Sequence, residues 1–112
     1  MQHPTVIRPG DHAERRADKM GKTTLFESPR LLVGVTAFGR GISHPLHTPA
    51  GMDKVYLVIE GQGLFLLDGQ ELPMVAGDLL IAPEGVPHGV RNTGTSRLLV
   101  LAILAPSPAA SK

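Results

Sequence analysis

The chain has 112 residues, 42% of them hydrophobic and 19% charged, with a formal net charge of +1 and no cysteine. That balance fits one globular domain able to bury a core, and it gives no reason to expect a nucleic-acid or anionic-membrane partner. No apolar run approaches the roughly 18 residues of a membrane span, and the N-terminal MQHPTVIRPGD lacks a secretory h-region, so a cytoplasmic location is expected.

Residues 1–22 read as a solvated arm, with a short strand at Val6-Ile7 and one helical turn that Asp11 could cap. From residue 23 strand signals become dense. Thr23–Glu27 is a short strand stopped by Ser28-Pro29, and Leu31–Phe38 is a longer one ended by Gly39-Arg40-Gly41. Lys54–Glu60, rich in β-branched residues, is the strongest candidate. Leu64–Leu67, Asp68-Gly69 and Gln70–Val75 form a predicted hairpin with a type I′ turn. Asp78–Ala82, His88–Asn92 and Arg97–Leu104 complete the set, and the Pro-, Ala- and Ser-rich tail 105–112 is expected to be disordered. Strands separated by turns at this spacing, with no helical apolar period, predict an all-β sandwich or barrel. VYLVI and LLVLAIL are apolar on both faces, so the outer face needs cover from a second sheet or a second subunit.

Without thiolates, any metal must be held by histidine or oxygen ligands. Gly77, Pro83, Gly85, His88 and Asn92 follow the spacing G-x5-P-x-G-x2-H-x3-N. This pattern resembles the second signature motif of the cupin family at every position. The first cupin motif, G-x5-H-x-H-x(3,4)-E-x6-G, is matched by Gly41, His47 and Gly61, but Pro49 stands at its second histidine and Lys54 at its glutamate. The resemblance covers roughly residues 23–104 and implies a double-stranded β-helix (jelly-roll) barrel with a small-molecule site in one mouth. It further implies a site for iron, manganese, nickel or zinc of which only His47 and His88 remain.

Two histidines are a poor cage, and an ammonium repels a cation. Any divalent metal is therefore expected to bind weakly. His44 and Asp53 are the candidate substitutes. Strand alternation turns both away from the site, unless Pro45 kinks the chain for His44 or a bulge shifts the register for Asp53. Lys54, Tyr56, Val58 and Glu60 share one strand face, which looks into the barrel if the family register holds.

The expected function is binding of a small polar anion, with His47, His88 and Lys54 as the candidate catalytic groups if the protein is an enzyme. The alternatives are a non-catalytic binding module or a structural domain, since fold alone does not give function. The expected assembly is a homodimer, with the outer face of Arg97–Leu104 as its interface.

Overall fold

The structure, a computed structural model, describes residues 5–14, 20–48 and 50–108. Nine strands form among them: β1 (Met20–Glu27), β2 (Leu32–Phe38), β3 (Ser43–His47), β4 (Asp53–Glu60), β5 (Gln62–Leu67), β6 (Gln70–Val75), β7 (Leu79–Ala82), β8 (His88–Asn92) and β9 (Leu98–Ala105). They pair antiparallel in two sheets, a five-stranded sheet of order β1-β2-β9-β4-β7 and a four-stranded one of order β3-β8-β5-β6. This is the jelly-roll barrel that the resemblance implied.

The apolar-on-both-faces strands take the central positions, where both faces are covered. β9 lies between β2 and β4, so Val100 pairs with Thr36 on one side and Val58 on the other. Inside the barrel, Phe38, Val58, Phe65, Met74, Leu98 and Val100 make one buried cluster. On the outer face, Val35, Ala37 and Leu99 pack with Ala13 in a second cluster. Part of the arm thus covers part of the outer sheet. Further along that face, Val33, Ile103, Val55 and Ile81 lie in one cross-strand row, and Val35, Leu101, Leu57 and Leu79 in the next. At the β7 end of these rows Leu79 and Ile81 are 61% and 59% exposed, whereas at the β2 end Val35 is buried and Thr5, Ile7 and Pro9 lie beside Val33 and Leu101.

Several local expectations change. β1 begins at Met20 rather than Thr23, because its pairing with β2 runs back from Glu27 to Met20, opposite Phe38. Val6-Ile7 is not a strand, and the helical turn is a 3-10 turn over Pro9–His12 with Arg8, not Asp11, before it. The Asp68-Gly69 turn is not type I′: Gly69 has φ of 76°, but no non-glycine residue among those described has a positive φ. β3, interrupted by Pro45, carried no strand signal strong enough to be predicted. Residues 105–108 pack back on the start of the barrel, Ser107 donating from Oγ to Glu27 and from its backbone to the Pro29 carbonyl. The expectation for the rest of the tail falls outside the described residues.

Asn92, the last residue of the second motif, is buried. Its amide donates to the carbonyls of Phe38, Gly39 and Ser96, and its oxygen accepts from Gly94. One side chain thereby satisfies buried backbone groups of two loops beside the motif strand.

Candidate functional site

The histidines meet across the β3–β8 pair. His88 and Val90, two residues apart, both face inward; opposite them stand His47 and His44, three residues apart. The extra residue is taken up by a bulge at Pro45-Leu46. His44 therefore returns to the inner face, and its ring lies 4.4 Å from that of His47, centroid to centroid. The expectation from strict alternation is corrected here in favour of the kink at Pro45. The bulge brings the chain so close to β8 that a Cβ on Gly89 would stand 2.5 Å from the His44 carbonyl oxygen. Only glycine fits at that position without displacing backbone.

Asp53 is not brought in. Its carboxylate accepts the backbone N–H of Glu84 at 2.9 Å, on the exposed side of β4. No register shift lies between Lys54 and its β7 partner Ala82, so Lys54 keeps the inward face with Tyr56 and Val58. Glu60, expected on the same face, is turned out by a bulge after Val58 and pairs with Arg97 at 2.9 Å.

Hydrogen bonds assign the tautomers. His88 Nδ1–H donates to the Val86 carbonyl at 3.1 Å, and His47 Nδ1–H to the Pro45 carbonyl at 3.3 Å. A carbonyl only accepts, so each neutral ring keeps its Nε2 lone pair for the site. Those lone pairs are already taken. Lys54 Nζ donates to His47 Nε2 at 2.9 Å, and the Tyr56 hydroxyl donates to His88 Nε2 at 2.9 Å.

All the shifts in this cluster follow from burial and like charge. Burial lowers His44 to about 4, helped by His47, Lys22 and Lys54. Burial, then Lys54, holds His47 below its ordinary value, and burial, then His47 and Lys54, does the same for His88. Burial, then the Lys22 ammonium, lowers Lys54. Burial alone pushes Tyr56 up to about 12, so it stays a neutral donor.

A group whose folded pKa lies below its unfolded value leaves more protons on the unfolded chain, so stability rises with pH between the two values. For His44 that window runs from about 4 up to its ordinary 6.5. Thermal melting should therefore show stability complete above pH 6.5 and declining toward pH 4. A His44→Gln variant should flatten that decline; an unchanged pH profile would show that His44 is solvated in the folded protein.

A cavity of about 260 Å³ opens beside the cluster, lined by Lys22, His44, Lys54 and Tyr56 together with apolar residues of β1, β2 and β9. His47 and His88 are not in its wall. They touch Lys54 and Tyr56 from behind, and His88 is fully buried. So Lys54 faces the cavity directly, whereas the two motif histidines reach it through their donors. Lys22 was not singled out from the sequence, whereas Tyr56 was expected on the inward face but not as a site residue. Tyr56 shares strand parity with Lys54, a usable signal; Lys22 lay in the region read as the arm.

The cavity and cluster do not fit a metal ion as they stand. Both motif Nε2 atoms are capped by donors, one of them an ammonium. Among the described residues no three histidine or carboxylate groups are placed to hold an ion. Pro49, at the family's second histidine position, lies outside those residues.

Comparisons with known proteins agree on the family. The cupin domain matches residues 35–104. An oxalate-binding protein of Thermotoga maritima is 29% identical over 98 residues, which is 88% of this chain and 80% of that protein. Among solved structures, the TT1209 protein of Thermus thermophilus matches with a TM-score of 0.85 at 34% identity, over 92% of this chain and 98% of that one. A double-stranded β-helix protein of Klebsiella pneumoniae matches with a TM-score of 0.87 over 96% and 94% of the two chains, but at 20% identity it speaks for the fold alone. No helix among the described residues is long and apolar enough to cross a membrane. With the motif histidines facing into the barrel, the two-sheet topology and a family match over most of its length, this chain belongs to the cupin family.

Proposed function

We propose that the protein binds a small carboxylate-bearing molecule in the barrel cavity, with the Lys54 ammonium as its principal anchor. The observation that carries this reading is the charge of the wall. Lys22, His44 and Lys54 line the cavity, and no acidic residue does so among the described residues. No described carboxylate makes a salt bridge with Lys54. A half-buried ammonium without a carboxylate partner is poorly compensated, and an anion supplies charge-assisted hydrogen bonds in its place. The oxalate-binding relative is in keeping with a carboxylate ligand.

Binding is favoured over turnover by the state of the histidines. His88 is sealed and its Nε2 saturated by Tyr56, so it has no free lone pair with which to take a proton from a ligand. His47 acts on Lys54, holding Nζ at the cavity wall. The exposed apolar residues at the β7 end of the outer sheet, Leu79 and Ile81, support a homodimer with a second copy seated there.

The test is a thermal-shift titration with acetate and other small carboxylates, comparing wild type with Lys54→Met. Stabilisation should grow with concentration in the wild type, reaching about 2.7 kcal/mol at a hundredfold excess over Kd, and should be lost in the variant. Equal stabilisation of both proteins would show that Lys54 is not the anchor.

A further inference from the structure

The inner face of the barrel is unevenly filled. Toward β5 and β6 it is packed by Phe65, Met74 and Leu98. Midway along β1 and β2 the facing positions are small: Thr24, Gly34 and Ala102 stand in one cross-strand row. Thr36 belongs to the row beside it. A sheet with no large side chain there cannot reach the opposite wall, and the cavity is the result.

Its volume, about 260 Å³, can be set against ligand sizes. A dry apolar cavity of roughly 150 Å³ holds benzene. The space here exceeds that by enough for a carboxylate and a short linker. Met20, Leu32, Phe38, Val100 and Leu104 supply apolar wall, while Lys22, His44 and Lys54 supply the charge. A two-carbon dianion such as oxalate would satisfy the cations and leave those apolar walls facing water.

We propose that the cavity selects an amphipathic monocarboxylate, with an apolar body about the size of one aromatic ring seated between β1, β2 and β9 and its carboxylate on Lys54. This rests on the reading that Lys54 anchors an anion, and it adds the class of molecule that carries the anion. The small row of Gly34 and Ala102 is then the specificity determinant, distinct from the anchor.

The experiment is calorimetric titration of the full chain at one neutral pH with 3-phenylpropanoate, oxalate and the neutral 3-phenylpropanamide. The expected result is that 3-phenylpropanoate binds at least about tenfold more tightly than either, since the ring adds apolar burial and the charge adds the anchor. Ala102→Leu, which fills part of the cavity, should erase the advantage over oxalate. Thr36→Ile is the second variant, expected to act in the same direction should Ala102→Leu fail to fold. Oxalate bound as tightly as 3-phenylpropanoate in the wild type would overturn the inference and leave anion binding standing. An amide bound as tightly as the acid, or no binding of either carboxylate, would overturn both.

Discussion

Replacing Lys54 with glutamate should raise affinity for manganese, iron, nickel or zinc at least about a hundredfold. At an effective dielectric constant of about 20, unit charges 4 Å apart interact by about 4 kcal/mol. Exchanging an ammonium for a carboxylate turns a repulsion of a dication into an attraction and also frees His47 Nε2 as a ligand. Only a fraction of that change, about 2.7 kcal/mol, is needed for a hundredfold gain. The two motif histidines are present, with His88 Nε2 still to be released by the Tyr56 hydroxyl. His47 and His88 have their Nδ1 atoms fixed by carbonyls, which is how metal-bound imidazoles are oriented, and the His44 ring lies beside His47. The double variant Pro49→His with Lys54→Glu, which restores the family pattern, should bind more tightly still. Calorimetric titration of wild type and variants reads this directly. A Lys54→Glu protein that binds no better than wild type would mean that the histidine lone pairs do not converge.

Charge on the outer sheet should have opposite consequences at neighbouring residues of β9. Leu101 pairs with Val35 and Leu57 on the outer face and is half-buried in the single chain. Leu101→Asp should leave the fold intact and dissociate the proposed dimer at micromolar concentration, since an unpaired charge in an apolar interface costs about 3–5 kcal/mol. Leu99 is fully buried against Val35, Ala37 and Ala13 within the chain. Leu99→Asp should therefore unfold the protein outright, by a mechanism that lowers stability even where association is already lost. Sedimentation velocity for association and thermal melting for stability separate the two. A wild type that sediments as a monomer at micromolar concentration would remove the dimer, and with it the reason offered for an apolar outer face.

The barrel was readable because its signals are local and repeated. Strand alternation, a Gly-containing turn between strands and the five-residue second motif all report on backbone that must bend where it does. The site was less readable for a geometric reason. Parity counting placed Lys54 and Tyr56 correctly, since β4 runs without irregularity from Lys54 to Val58. It failed for His44, where a bulge at Pro45 adds one residue against His88–Val90. The only hint in the sequence was Pro45 itself, which cannot donate a ladder hydrogen bond and is confined to edges and bulges. Gly89, which permits the close approach, is uninterpretable without its neighbour across the pair. Lys22 was invisible for a different reason. Its significance comes from β1 lying across the cavity from β4, a long-range relation that no local pattern encodes.

On the proposed reading a lysine, rather than a metal ion, supplies the positive charge on which a carboxylate is held. The decisive experiment is a calorimetric titration of 3-phenylpropanoate into protein stripped of metals by chelation, beside the same protein reconstituted with zinc or manganese. Binding should be undiminished in the stripped protein and indifferent to added metal, because Lys54 Nζ already stands at His47 Nε2. Binding that disappears on chelation and returns with the metal would show instead that a metal ion is the anchor.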